Sequence, residues 1–359
     1  MIRDEFALDY TQSGVLISAY SLSYGIGHLP AGWFTNRVGY RTMITIGISG
    51  VALCGLMIGL SPTYTMMIAF MVLMGLTGST YHPASTPVIS ASVEPQNRGR
   101  ALGIHIIGGS ASFFLSPLLA AAIAIAWGWR GSFITLAFPT FILGIVIYFL
   151  IGRRISRQNL EQRATTATAE TFPPGHLRRL IALITLSCTT QALTFSTITF
   201  IPLFLVDHFG ITEAAAAAML AIVHSAGLWA APLGGYLSDR LGRIPVLLAV
   251  CIIAGPTVYL LTLVPYGWGI GALLVIIGMV VYARMPATES YIVSHTSERN
   301  RSKILGIYYF AGVEGGGILA SVIGSLSDQF GFNTSFAIVA AALFAATLGC
   351  SVFLWGKRD

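Results

Sequence analysis

The chain has 359 residues, of which 55% are hydrophobic and only 9% are charged, and its mean hydropathy is +0.77. Soluble domains carry about 25% charged residues, so this composition excludes a soluble globular protein and predicts one embedded in a lipid bilayer. The formal net charge is +6, but the basic residues are spread over six short loops. Because they form no patch interleaved with aromatic residues, we expect no nucleic-acid partner.

Apolar runs long enough to cross about 30 Å of hydrocarbon as α-helix follow one another along the chain. We predict eleven spans, at 14–34, 42–60, 64–90, 101–127, 132–151, 180–206, 214–237, 245–264, 269–293, 304–326 and 336–355. The predicted fold class is therefore an all-α integral membrane protein whose partner on every side is the lipid bilayer.

The loops between the predicted spans differ sharply in charge. Alternate loops and the C-terminus hold 17 of the 20 Lys and Arg residues. The opposite loops hold only Arg3 and Arg130, and Arg284 lies inside a predicted span. By the positive-inside rule the Arg-rich loops and the C-terminus are cytoplasmic. We therefore expect a multi-pass protein of the cell membrane.

The sequence contains two copies of one unit, offset by 203 residues. AGWFTNRVGYR (31–41) matches GGYLSDRLGR (234–243), and HPASTPVISASVEPQNRGRALGI (82–104) aligns without gaps on MPATESYIVSHTSERNRSKILGI (285–307). Such self-similarity at a fixed offset is the mark of a duplicated unit.

The duplication predicts the domain organisation. We expect an N-terminal helical bundle over residues 1–152, a polar cytoplasmic central loop over 153–179, and a C-terminal six-helix bundle over 180–359. The two bundles are expected to have parallel orientation, because the matching turns at 31–41 and 234–243 both belong to the Arg-rich loops of one side.

The second half has one predicted span more than the first. At the same offset, the span 180–206 would map to positions before Met1, so the chain holds about 11 of the 12 helices of a six-plus-six design. Residues 1–12 correspond to the external loop that would follow such a helix, and they lack the apolar core of a signal peptide. We expect a truncated or misassigned start, with a natural loss as the alternative.

Each half carries the pattern G-x-x-x-[DN]-R-x-G in one short cytoplasmic turn. Its members are Gly32, Asn36, Arg37 and Gly39 in the first half, and Gly235, Asp239, Arg240 and Gly242, followed by Arg243, in the second. Gly39 and Gly242 permit a sharp bend between helices. The carboxylate of Asp239 can face the positive N-terminal end of a helix, whereas Asn36 carries no charge, so we expect a weaker contact in the first half.

Two parallel halves, each with this motif at the same topological position, resemble the major facilitator superfamily of secondary transporters. The resemblance covers essentially the whole chain. It implies two helical bundles that rock about a site near the bilayer midplane, no enzymatic activity, and a contact at Asp239 that holds the cytoplasmic gate shut and breaks as the transporter turns inward.

A narrower resemblance lies in the fourth and fifth helices of that design. GSTYHPASTPVIS (78–90) and RGRALGIHIIGGSASFFLSP (98–117) are similar to drug-efflux and fosmidomycin-resistance-like members. Pro83 and Pro286 occupy matching positions and predict helix breaks that point to the transport pathway. The antiporter motif of the fifth helix lacks its Gly-Pro pair, and the fourth helix lacks an Arg, which are departures from the antiporter pattern.

Charges inside the predicted spans are candidates for chemistry, since each costs about 2.5 to 3.5 kcal/mol at a helix centre on insertion scales. Glu314, in YYFAGVEGGG, is suited to bind and release a proton in each cycle, or else it is a structural partner of Arg284. Arg284 keeps its charge and must pair with a carboxylate or an anionic substrate. A pair that a substrate or proton disrupts and a permanent buried ion pair are both open.

The remaining candidates for proton coupling or for lining the substrate cavity are uncharged or weakly basic; they are His224, Gln191, Tyr308 and His82. A histidine among apolar residues is often only a hydrogen-bonded packing residue, and that reading is open for both histidines. The histidines and the four single cysteines lack the spacing of a metal site. There is no G-x-S-x-G, HExxH or P-loop, so we expect neither a cofactor nor a metal.

The sequence therefore favours a monomeric secondary transporter of a small-molecule substrate, with proton-coupled efflux of a small organic solute as the main hypothesis. Proton-coupled import of an organic anion through Arg284 is the alternative, and so is a transport-inactive receptor-like relic of the scaffold. A channel fits less well, because it needs no pair of gating turns related by duplication.

Overall fold

The computed structural model describes residues 1–8, 10–154 and 175–354, and within them the chain is helical without any strand. The helices are α1 (Ile2–Glu5), α2 (Tyr10–Val38), α3 (Tyr40–Gly59), α4 (Tyr64–Gly78), α5 (Tyr81–Ala91), α6 (Arg98–Arg154), α7 (His176–Phe209), α8 (Glu213–Leu241), α9 (Arg243–Leu260), α10 (Trp268–Ser294) and α11 (Glu298–Leu354), with a 3-10 turn at Pro95–Asn97. Most of the predicted central loop, from 155 to 174, lies outside the described residues.

The two longest helices each contain a sharp bend. In α6 the backbone leaves the helical region at Trp127 and at Gly128, whose φ is 69°. In α11 it does so at Gly331, with a φ of 76°. The two glycines are related by the offset of 203, and each bend separates two of the predicted spans.

Most residues of the predicted apolar runs lie on helices, with ends that differ by a few residues. Eight helical segments of the described chain are long and apolar enough to cross a membrane. Two short parts of the predicted runs form turns instead, at Ser79 and Thr80 and at 261–264, after α9 has ended at Leu260.

The two prolines predicted to break helices have different outcomes. The predicted span 64–90 is interrupted at Ser79 and Thr80. Pro83 lies in the first turn of α5, where its missing N–H would have had no intrahelical partner. Pro286 lies inside α10, which stays continuous from Trp268 to Ser294. The predicted break at Pro286 is therefore wrong as an interruption of the helix; the proline removes one hydrogen bond and the flanking turns maintain the helix.

The helices form two compact units. Unit 1 consists of Met1–Val88, Leu115–Thr171 and Thr296–Phe310. Its buried side chains include Ile58 and Met67, both fully inaccessible, which pack with Trp129. These units are defined by contacts, whereas the predicted division into bundles at 1–152 and 180–359 is defined by the sequence repeat and stays a prediction.

Unit 2 consists of Ile89–Phe114, Phe172–His295 and Ala311–Asp359. It contains the largest apolar core, with Phe204, Leu274, Phe336 and Leu343 fully buried at its centre. Each unit contains one copy of the repeated turn together with the first residues of one long helix, α11 in unit 1 and α6 in unit 2. That combination positions the candidate site.

Candidate gating turns and transport site

The turn in unit 2, residues 234–243, binds the beginning of α6. It bends at Gly242, whose φ of 97° and ψ of 150° are rarely adopted by residues with a side chain. Half-buried Asp239 accepts hydrogen bonds from the backbone N–H groups of Gly99, at 2.9 Å, and Arg100, at 2.8 Å. Because α6 begins at Arg98, these amides have no intrahelical acceptor, so the carboxylate satisfies them and faces the positive helix end.

A close backbone approach allows Asp239 to reach those amides. Gly235 is buried against Gly99, and a Cβ atom on Gly235 would collide with the carbonyl oxygen of Gly99. A Cβ on Gly99 would in turn lie 2.5 Å from the carbonyl oxygen of Gly235. The first glycine of the motif is therefore required for packing, whereas the last is required for the bend.

The two arginines of this turn contact residues around it. Arg240 lies over the ring of Tyr236, with 5.0 Å between its guanidinium carbon and the ring centroid. Arg243 donates through Nε to Ser290 Oγ, at 2.9 Å, and through Nη2 to the carbonyl oxygen of Pro95, at 3.4 Å. Arg243 thus connects the turn to α10 and to the 3-10 turn that precedes α6.

The turn in unit 1, residues 31–41, has the same backbone bend and a different side-chain contact. Gly39 has a φ of 94° and a ψ of 149°. Asn36 is exposed, and its Nδ2 donates to the carbonyl oxygen of Arg299, at 2.7 Å, near the start of α11. The amide is therefore a donor here, whereas the carboxylate of Asp239 is an acceptor.

The packing around the unit 1 turn repeats that of unit 2. A Cβ on Gly32 would collide with the carbonyl oxygen of Ser302, the position that matches Gly99 at the offset of 203. Arg37 lies over the ring of Trp33 at 3.7 Å, as Arg240 lies over Tyr236. The motif residues are therefore placed as a repeated structural unit, and their role in gating stays a proposal.

Arg284 of α10 is completely buried in unit 2, with 0% of its surface exposed. Its guanidinium donates to the hydroxyl of Ser187 and, at 3.1 Å, to Oε1 of Gln191, both on α7. The hydroxyl of Ser187 is 2.9 Å from that of Thr288, which donates to the carbonyl oxygen of Arg284. Two of the predicted residues, Arg284 and Gln191, are thus brought together, and Ser187 and Thr288 are additions that the sequence did not single out.

Glu314 does not join this cluster. A Cβ on Gly312 would lie 2.8 Å from the side chain of Gln191, so this face of α11 packs on α7. Glu314 follows Gly312 by two residues, a rotation of about 200° that places it on the opposite face of the helix. It is partly exposed and forms no hydrogen bond or ion pair with any residue that the structure describes. The described structure shows no ion pair between Glu314 and Arg284, and whether the two residues pair in another state of the protein stays a prediction.

The third predicted residue of unit 2, His224, lies on α8. Its Nδ1 is 2.9 Å from the hydroxyl of Tyr282 on α10. This contact agrees with the reading of His224 as a hydrogen-bonded packing residue and leaves its part in proton transfer untested.

The predicted residues His82 and Tyr308 belong to unit 1, where they lie near an aromatic cluster. The ring of His82 is 5.2 Å from that of Tyr309, and the ring of Tyr308 is 5.1 Å from the same residue. Buried His28 approaches Tyr309 at 5.5 Å, and the Tyr309 hydroxyl is 2.9 Å from Thr86 Oγ1. Tyr309 and His28 were missed, since nothing in the local sequence indicates that α2, α5 and α11 meet here.

Metal binding has no clear structural basis in the part of the chain that the structure describes. Within residues 1–8, 10–154 and 175–354, no group of three or more His, Cys, Asp or Glu side chains is arranged to hold an ion. Proton binding at Glu314 or the histidines and anion binding at Arg284 stay predictions.

Comparison with known sequences gives a consistent set of similarities. The family model described as Major Facilitator Superfamily matches residues 1–285 and 187–359. The chain is 25% identical over 339 residues to the multidrug resistance protein MdtG of Dickeya zeae, covering 92% of this chain and 81% of that protein. It is 32% identical over 171 residues to a probable L-galactonate transporter of Escherichia coli, covering 48% of this chain and 36% of that protein.

Solved structures with the same fold have little sequence similarity. The Escherichia coli fucose:proton symporter superposes with a TM-score of 0.74 at 17% identity, over 97% of this chain and 92% of that one. A human organic anion transporter gives a TM-score of 0.74 at 16% identity, over 94% of this chain and 83% of that one. At this identity the likeness defines the fold alone.

Proposed function

The chain belongs to the major facilitator superfamily of membrane transporters, and from that premise we propose that it exports a small organic solute in exchange for protons. The observation that carries the proposal is Glu314. It is a carboxylate within a long apolar helix, partly exposed, with no hydrogen bond or ion pair to a described residue. A carboxylate at such a position is costly unless it is protonated or binds a ligand.

The repeated turns supply the conformational step of this proposal. Each turn holds the first residues of a long helix, through Asp239 in unit 2 and Asn36 in unit 1. In the proposed cycle these contacts are intact when the cytoplasmic side is closed and break when it opens. Protonation of Glu314 changes the charge within the helices and shifts the equilibrium between the two states, which is a population shift that a ligand with differential affinity can drive.

The names of the relatives support a proposal for the substrate class. The MdtG proteins match over most of this chain and are named for multidrug resistance. We infer a small organic solute of the kind that multidrug resistance proteins carry.

Flux measurements on the purified chain in liposomes test the proposal. A pH-sensitive dye in the lumen should report proton movement that depends on a panel of small organic solutes and saturates with their concentration. Glu314→Gln should abolish the coupled proton movement, and Glu94→Gln, an exposed carboxylate in the loop before α6, should leave it unchanged. Solute flux that is identical with and without a proton gradient would reject proton coupling.

Import of an organic anion with protons is the second candidate, and buried Arg284 favours it. A guanidinium keeps its charge at physiological pH and can bind a carboxylate, and that of Arg284 lies beside the polar side chains of Ser187 and Gln191 on α7. A probable L-galactonate transporter is similar over about half of this chain. Uptake of radiolabelled sugar acids that acidifies the lumen and is lost in Arg284→Gln would establish this alternative.

The same experiment covers the third possibility, a receptor-like relic. Saturable binding of a solute to the detergent-solubilised chain without any flux in liposomes would reject both transport proposals. A channel is excluded if flux saturates and follows the proton gradient with a fixed stoichiometry.

A further inference from the structure

Unit 2 contains a groove between the first half of α7 and the end of α11, with a volume of about 770 Å³. Its walls are formed by residues spaced three or four apart on each helix, from Arg178 to Thr185 on α7 and from Ala346 to Phe353 on α11. This spacing places each set on one helix face. The volume is within the range of about 300 to 1,000 Å³ typical of small-molecule sites in proteins.

Small side chains keep the groove open. Ala182 lines it from α7, and Ala346 and Gly349 line it from α11, about one helical turn apart. A Cβ atom on Gly349 would meet no other atom within 4 Å. The groove therefore results from the absence of side-chain volume at these positions.

The lining has one charged side chain, and it lies at one end. Arg178 is in the first turn of α7, and its guanidinium carbon is 4.1 Å from the centroid of the Phe353 ring. The other lining residues are apolar except for Thr185 and Cys350, and none of them is acidic. The groove is thus apolar along its length and basic at the end that the charge pattern of the loops assigns to the cytoplasmic surface.

The dimensions and the chemistry match a phospholipid. From Arg178 to Thr185 the helix rises about 10 Å, which is two thirds of the roughly 15 Å depth of one leaflet of a 30 Å hydrocarbon core. Exposed Ile181, which lines the groove one turn beyond Arg178, would contact the acyl region. Basic pockets between transmembrane helices at the cytoplasmic surface are a recurring arrangement for anionic head groups.

We propose that this groove is a binding site for an anionic phospholipid, with an acyl chain along the groove wall and the lipid phosphate paired with Arg178. The position of Arg178 over Phe353 keeps the guanidinium at the end of the groove, where a phosphate at the membrane surface can reach it. The site is independent of the solute pathway proposed above.

Phosphatidylglycerol binding to the full chain purified in detergent tests the proposal. The lipid should raise the apparent melting temperature and remain bound in native mass spectrometry, because a ligand of the folded state stabilises it. Arg178→Ala should lower the apparent affinity about fivefold, the effect of one basic residue near a membrane surface. Arg179→Ala, a neighbouring arginine outside the groove, is the matched control and should retain the affinity.

A second pair of variants tests the groove without changing charge. Gly349→Leu fills the open space and should reduce the bound lipid to the level of Arg178→Ala or below. Gly271→Leu adds the same side chain on α10, where a Cβ also meets nothing within 4 Å, and should have no effect on binding. Melting curves without lipid identify any variant that fails to fold.

Several results would overturn the site. Equal losses in Arg178→Ala and Arg179→Ala would remove the proposed phosphate contact, and wild-type binding in Gly349→Leu would remove the groove. Phosphatidylcholine that binds as tightly as phosphatidylglycerol would reject an anionic lipid. Stabilisation by inorganic phosphate alone, to the same extent, would assign the effect to a free anion.

Discussion

The two repeated turns have the same backbone and opposite hydrogen-bond polarity. The bends at Gly39 and Gly242 differ by only a few degrees, with φ and ψ of 94° and 149° in one and 97° and 150° in the other. Asp239 accepts from two backbone amides, whereas Asn36 donates to one carbonyl group. Backbone geometry therefore survives the change of one side chain, while the chemistry of the contact does not.

The difference should make the contacts unequal in strength. Hydrogen bonds to charged groups contribute about 1.5 to 3 kcal/mol and neutral ones about 0.5 to 1.5 kcal/mol. Asp239 is half-buried and Asn36 is exposed, which weakens the second contact further because water competes for it. We expect the start of α11 to separate from its turn more readily than the start of α6.

The largest effect should come from the packing glycines, which the two turns share. Gly235→Ala and Gly32→Ala each place a methyl group against a backbone carbonyl that cannot yield, so each should destabilise the chain by about 1 to 3 kcal/mol. Thermal unfolding in detergent measures this, with Gly108→Ala as control, since a Cβ there meets nothing within 4 Å. A loss confined to one of the two variants would contradict the shared geometry.

The next largest effect should differ between the two turns, because their side-chain hydrogen bonds differ in strength. Asp239→Asn removes the charge and leaves one acceptor for the two amides of Gly99 and Arg100, at a cost of about 1.5 kcal/mol. Asn36→Ala removes one exposed neutral bond and should cost about 0.5 kcal/mol. Hydrogen exchange at the start of α6 should accelerate in the first variant more than exchange at the start of α11 does in the second. Equal acceleration of hydrogen exchange in the two variants would show that the direction and charge of the hydrogen bond do not set the strength of the contact.

A smaller effect is expected when the unit 1 turn is given the residue of unit 2. In Asn36→Asp the carboxylate would face the carbonyl oxygen of Arg299, so the contact should weaken by less than about 1 kcal/mol and exchange at the start of α11 should rise. Increased protection would instead mean that the carboxylate turns to the amides of Ser302 and Lys303, the positions that match Gly99 and Arg100, and that side-chain identity alone decides the polarity.

The smallest effect concerns a second asymmetry, outside the membrane spans. Arg130 and Trp129 both donate to Glu5, and the hydrogen bond from Arg130 is the main reason that the pKa of Glu5 lies below its usual value. A lowered pKa stabilises the fold above the unfolded pKa, and this contribution disappears as the pH falls through the folded value. The matching position in the second half is His208, which has no carboxylate to titrate there.

Glu5→Gln should therefore lower the melting temperature slightly at pH 7, and the difference from wild type should shrink as the pH falls from the usual glutamate pKa of about 4.3 through the lowered pKa of Glu5. His208→Gln, which removes no carboxylate, is the matched control for the second half. A difference that stays constant down to the lowest pH at which the chain is folded would mean that Glu5 acts through packing and not through its charge.

How far the sequence could go is clearest at Arg284 and Glu314. Their position inside apolar spans follows from the order of residues, and so does the free-energy cost of placing a charge there. Their partners depend on which faces of α7, α10 and α11 meet, and a single sequence does not define helix rotation to that accuracy. Whether Glu314 and Arg284 pair could not be predicted for this reason, whereas the contact of Asp239 with a helix start could be expected from the motif.

Several features follow from local order alone: the apolar spans, the offset of 203 residues and the two glycines at which the turns bend. These follow from hydropathy, charge and backbone sterics, which are local properties. Tertiary structure decided whether Asn36 donates or accepts, because an amide can do either and the opposing backbone selects one. It also decided the groove at Gly349, because an empty space exists only between helices that have packed.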